Sequence, residues 1–90
     1  MGIKWIETFY KPGGIAKIYG ESETSKITKY TATMAEIKNN KIVDVRSESF
    51  ESKKEAADWL WKEGGYKQIR SEEHLQELGL RKYESWFNKN

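Results

Sequence analysis

The chain is 90 residues long, carries 16 Lys and Arg against 14 Asp and Glu for a net charge of +2, and contains no cysteine. The lack of thiols excludes a disulfide framework and thiolate metal sites, and so small a net charge does not point to a polyanionic partner. MGIKWIETFY has no unbroken apolar leader segment, and no window approaches the roughly 18 apolar residues of a membrane span, so a cytoplasmic setting is expected.

Residues 1–90 read as a single small domain. A chain of this size buries only roughly 60 to 65% of its unfolded surface. Aromatic residues, at 13% of the chain, must therefore supply much of the core volume. The small basic excess lies in residues 1–50, which hold eight Lys/Arg against six Asp/Glu, whereas residues 51–90 hold eight of each.

IKWIETFYK (3–11) and IAKIYGE (15–21) are rich in β-branched and aromatic side chains and are separated by Pro12-Gly13-Gly14. Pro presets the backbone of a tight turn and Gly accepts its positive φ, so a first hairpin is predicted. With Lys11 opposite Gly14, Tyr10, Ile15, Ile6 and Tyr19 share one face, and Phe9, Ala16, Ile18 and Trp5 the other. GESETSK (20–26) is polar and lacks apolar anchors, which predicts a mobile loop.

Residues 29–50 alternate in a period of two and turn at Asn39-Asn40, since Asn reaches the left-handed region readily. Counting outward pairs Ile37 with Ile42, Ala35 with Asp44, Thr33 with Arg46 and Thr31 with Glu48. Tyr30, Ala32, Met34, Val43 and Val45 then form a core face, and Thr31, Thr33 and Arg46 an open one.

At Ser52 the period changes to about 3.6. A capping box of Ser52 and Glu55 starts a helix over 51–64 whose stripe is Ala56, Ala57 and Leu60, with Trp59 and Trp61 on opposite flanks, and Gly64-Gly65 ends it. A C-terminal helical segment is expected over 71–88. Ser71 caps its first part, Gly79 breaks or kinks it, and Leu80, Tyr83 and Phe87 continue the stripe as one kinked helix or two. Both chain ends are expected to fray.

Chemistry is sparse. His74 is the only histidine, so histidine metal sites and His-dependent triads lack parts, and no phosphate-binding or nucleophile motif is present. Strand carboxylates at Glu7, Glu36, Asp44 and Glu48 read as solvated partners of Lys and Thr rather than an acid–base pair. The chain is thus expected to be no enzyme and to hold no cofactor and no metal.

Two binding readings remain. A protein partner, or a second copy forming a homodimer, would use Arg46, Thr33 and Thr31 on the open sheet face together with Trp61 and Trp86, Trp being enriched at interface hot spots. Alternatively, nucleic acid would stack on Tyr10 and Tyr19 and meet Lys4, Lys17 and Arg46. SFESKKEAADWL after two strands is similar to the ending of the arm-type DNA-binding modules of mobile-element integrases, in which Phe, a Ser/Thr cap and an Ala-rich helix follow the last strand. The likeness covers roughly residues 29–63 and implies a three-stranded sheet with a basic reading face. Here four strands are counted, and Asp44 and Glu48 surround Arg46.

The expected fold is α+β: a four-stranded antiparallel sheet in two hairpins, packed by one main helix, with one or two short C-terminal helices. The expected function is a small non-enzymatic module for protein interaction or self-association, with nucleic-acid binding as the alternative.

Overall fold

A computed structural model describes residues 2–22 and 26–83, with the side chains of residues 2–6 and of Arg81 excepted. Its elements are β1 (Gly2–Lys11), β2 (Gly14–Ser22), β3 (Ile27–Lys38), β4 (Lys41–Phe50), α1 (Lys53–Gly64), α2 (Glu72–Leu78) and a short 3₁₀ turn at Arg81–Tyr83. The four strands form one antiparallel sheet in the order β1-β2-β3-β4. Fold class and helix starts are those expected from the sequence. β2 runs on through Glu21 and Ser22 into the stretch predicted as a loop, where Glu21 is 3.7 Å from the Lys29 ammonium. Residues 23–25 of that loop lie outside the described residues, and Lys26 is an exposed bend.

Turn chemistry explains both hairpins. Pro12-Gly13 closes the first, with Gly13 at φ 77° and Lys11 opposite Gly14. Asn39 and Asn40 close the second at φ 54° and 63°, the two left-handed residues of a type I′ turn.

Near the turns the registers match simple counting, but each hairpin contains a bulge. In β1 a shift between Trp5 and Glu7 sets Trp5, instead of Ile6, opposite Tyr19. In β4 the shift follows Val43: Asp44 takes φ 51°, and Met34 then faces Arg46, Thr33 faces Ser47, Ala32 faces Glu48 and Thr31 faces Ser49. The expected pairs of Thr33 with Arg46 and Thr31 with Glu48 are corrected accordingly. One extra residue reverses the parity of everything beyond it. Val45, expected in the core, is 47% exposed, while Arg46 and Glu48 move to the face that carries α1.

The sheet is covered on both faces. On one side Phe9, Ala16, Ile18, Ala32 and Met34 pack against Ala56 and Leu60 of α1 and against Tyr66. On the other, Tyr10, Ile15 and Ala35 pack against Leu75 and Leu80. Helix α1 starts where the Ser52 hydroxyl accepts from the Glu55 N–H at 3.2 Å, and ends at Gly65 in the left-handed conformation (φ 72°). Ser71 caps α2 in the same way through the His74 N–H at 3.3 Å, and Gly79 ends it. Between the helices the chain crosses the β1 edge: the Tyr10 N–H donates to the Lys67 carbonyl at 2.8 Å, and the Lys67 N–H donates back to the Tyr10 carbonyl at 3.1 Å.

Candidate functional site

The bulge determines which side chains meet. Beyond it, Arg46 rises from β4 on the α1 side, with its guanidinium 5.6 Å from the centre of the Trp59 ring and 3.9 Å from a Glu63 carboxylate oxygen. Trp59 and Glu63 lie four residues apart on α1, one turn along a single flank. Trp59 also packs against Phe50 at the end of β4, ring centres 5.8 Å apart and tilted by 49°. The Arg46 guanidinium therefore stands over one ring of an aromatic pair, with about half of the side chain in water. Glu48, two residues on, makes no ion pair among the described residues.

Beside this cluster a groove of about 400 Å³ opens between the bulge, the end of α1 and the Lys11 side chain, with Met34, Glu36 and Tyr66 at its base. Its charges are mixed. Lys11 lies 3.5 Å from Glu36, which also reaches Lys38 at 3.9 Å. Such half-exposed pairs contribute at most about 1 kcal/mol each, so they shape the surface more than they hold the fold.

Tyr66 forms the floor. Its ring is 1% exposed, its hydroxyl donates to the Ala35 carbonyl at 3.1 Å, and the Lys11 ammonium sits 4.7 Å above it. Burial, with a smaller contribution from the Glu36 charge, pushes the hydroxyl up to about 12. Tyr66 has no part in the sequence reading. It follows the Gly64-Gly65 helix stop, and its role becomes visible only once the sheet and α1 are in place. The available signal was a large aromatic directly after a Gly C-cap, where a hydrophobic contact back to the helix is common.

The residues singled out from sequence fall in separate places. Thr31 and Thr33 lie on the face opposite α1, each hydroxyl paired across the strands, Thr31 with Ser49 at 3.2 Å and Thr33 with Ser47 at 2.9 Å. They do not share a surface with Arg46. Trp61 is 60% exposed. Two residues from Trp59 on a helix, it lies on the far flank of α1, away from Arg46. Trp86 lies outside the described residues, as does the side chain of Lys4. Tyr10 and Lys17, 4% and 3% exposed, are buried within the sheet's second face and present no open ring or ammonium. Tyr19 is half-buried, and burial raises its hydroxyl pKa.

β4 is an outer strand, and residues 44–49 are all exposed. Among the described residues no backbone group pairs with its outer edge, whereas the β1 edge is engaged by Lys67 at Tyr10. Also among the described residues, no helix is long and apolar enough to cross a membrane, and no three His, Cys, Asp or Glu side chains gather where they could hold a metal ion.

No protein-family model, curated protein or solved structure matches the chain.

Proposed function

We propose that this domain is a non-enzymatic protein-binding module whose docking surface is the outer edge of β4 together with the adjacent flank of α1. The observation that carries the reading is the open edge: residues 44–49 are exposed in succession, and among the described residues no backbone group pairs with the outer edge of β4. Sheet edges are templates for another strand, and natural proteins ordinarily cover them. Arg46, backed by Trp59 and Phe50, supplies an Arg-and-aromatic anchor of the kind enriched at interface hot spots. Trp61, exposed on the far flank of α1, lies outside this surface. A cytoplasmic setting belongs to the same proposal and is supported by the absence of cysteine. The nucleic-acid alternative loses two of its contacts, because Tyr10 and Lys17 are buried.

The test is photo-cross-linking in the cells that make the protein, with p-benzoylphenylalanine in place of Val45 or, for comparison, of Gln76, an exposed residue of α2. Adducts to protein, whether a second copy or another chain, are expected from position 45 and not from position 76. A folded protein that gives no protein adduct from position 45 would refute the proposal.

A further inference from the structure

We infer that the partner of the β4 edge is a second copy of this chain, joined by antiparallel β4–β4 pairing about a twofold axis at Ser47. The inference rests on the reading of β4 as the docking edge. In a twofold antiparallel pair the axis stands perpendicular to the sheet, so each residue faces one whose number mirrors its own about the axis. With the axis at Ser47, Arg46 of each copy faces Glu48 of the other, and Val45 faces Ser49.

The charges select this arrangement. An axis at Arg46 sets Arg46 against Arg46 and Asp44 against Glu48, and an axis at Glu48 sets Glu48 against Glu48; like charges directly opposite are destabilising. An axis at Val45 would oppose Asp44 to Arg46, but it centres the pairing beside the bulge, where Asp44 has φ 51° and leaves the extended conformation a ladder needs. The axis at Ser47 sets the Arg46–Glu48 pairs within the regular stretch 46–50 and so forms two Arg–Glu pairs.

The side chains are placed for it. Arg46 and Glu48 face the α1 side, opposite Met34 and Ala32 of β3. Arg46 is held beside β4 by Trp59 and Glu63 and, with five N–H donors, can accept a second carboxylate. Glu48 forms no ion pair within its own subunit among the described residues. Charges on an outer strand repel arbitrary strands. Here the same charges fit the strand's own mirrored copy, so they guard the edge and also specify its partner.

Sedimentation velocity on the purified full chain tests this, with circular dichroism confirming that each variant is folded. The wild type is expected to dimerise, and E48R or R46E alone, each creating two like-charge pairs, is expected to weaken the dimer by at least about tenfold. An equimolar mixture of E48R and R46E restores two opposite-charge pairs and is expected to form a heterodimer that neither variant forms with itself. The mixture scores association between two folded chains, so it stays informative if one variant is less stable. A wild type that remains monomeric to about 1 mM overturns self-pairing, as does a dimer insensitive to E48R or a mixture that fails to associate. The docking-edge reading is judged separately by the cross-link from position 45, which would then go to a different protein.

Discussion

Gly64→Ala sets two effects of opposite sign against each other at one position. Gly64 lies in the last turn of α1 without a positive φ, so by helix propensity alone alanine would add up to about 1 kcal/mol of stability. Space argues the other way: a Cβ there would stand 2.5 and 2.6 Å from Cε2 and Cδ2 of Tyr66 and 3.2 Å from the Met34 sulfur. Relaxed carbon contacts lie near 3.5 to 4.0 Å, so the ring must retreat by roughly 1 Å. Little freedom is available, because the Tyr66 N–H is bonded to the Leu60 carbonyl at 3.2 Å and its hydroxyl to the Ala35 carbonyl at 3.1 Å. Overpacking costs typically about 1 to 3 kcal/mol, and a strained or lost hydroxyl bond costs about 1 more. The net expectation is a loss of about 2 kcal/mol, read in urea denaturation as a midpoint lowered by about 2 M at an unchanged slope of about 1 kcal/mol/M. A double-mutant cycle locates the cause. At Gly14 the shortest contact of an added Cβ is the Tyr66 hydroxyl itself, at 2.4 Å, so Tyr66→Phe should relieve part of the steric cost of Gly14→Ala, whereas at Gly64 it removes only the about 1 kcal/mol of the hydroxyl bond and leaves the ring clash in place. A Gly64→Ala protein at least as stable as the wild type would refute the argument.

Two further outcomes follow from the same geometry. The Tyr66 hydroxyl, pushed up to about 12 in the folded protein from the ordinary tyrosine value of about 10, keeps its proton to higher pH than in the unfolded chain. Its contribution is whole below pH 10 and is lost as pH rises toward 12, by about 2 to 3 kcal/mol in all. Tyr66→Phe should thus be less stable by about 1 kcal/mol at pH 7 and match the wild type near pH 11; in urea titrations, a gap that stays constant with pH would refute this. At Asp44, whose φ of 51° suits glycine, Asp44→Gly should exceed Asp44→Ala in stability by about 1 kcal/mol, the reverse of the order expected at Ser47 in the regular strand. Thermal unfolding of the four variants checks that inversion.

What could be read from the sequence was what local chemistry decides. Pro12-Gly13, Asn39-Asn40, the caps at Ser52 and Ser71 and the stops at Gly65 and Gly79 each act within a few residues, and all stand where expected. What counting missed depends on the whole sheet. Alternation through IVDVRSES gives no sign that Asp44 will leave the extended region. That single departure moved Arg46 to the α1 face and left the threonines with serine partners instead. The only local signal was Asp itself, a residue that tolerates positive φ, set between two valines. Burial of the Lys17 ammonium was equally out of reach. A strand cannot announce that both of its faces will be covered, and a lysine amid aromatics reads as an open cation until the second layer is in place.

The crossing at residues 66–69 joins the two halves of the molecule. Within four positions the chain seats a ring in the core under α1 at Tyr66, bonds a strand edge at Lys67, and reaches the opposite core at Ile69. This short strap buckles the sheet from the side. Tension on the C-terminal part of the chain would reach the α1 core only after the two hydrogen bonds at Tyr10 had been sheared, so the buckle acts as a mechanical fuse between the two cores.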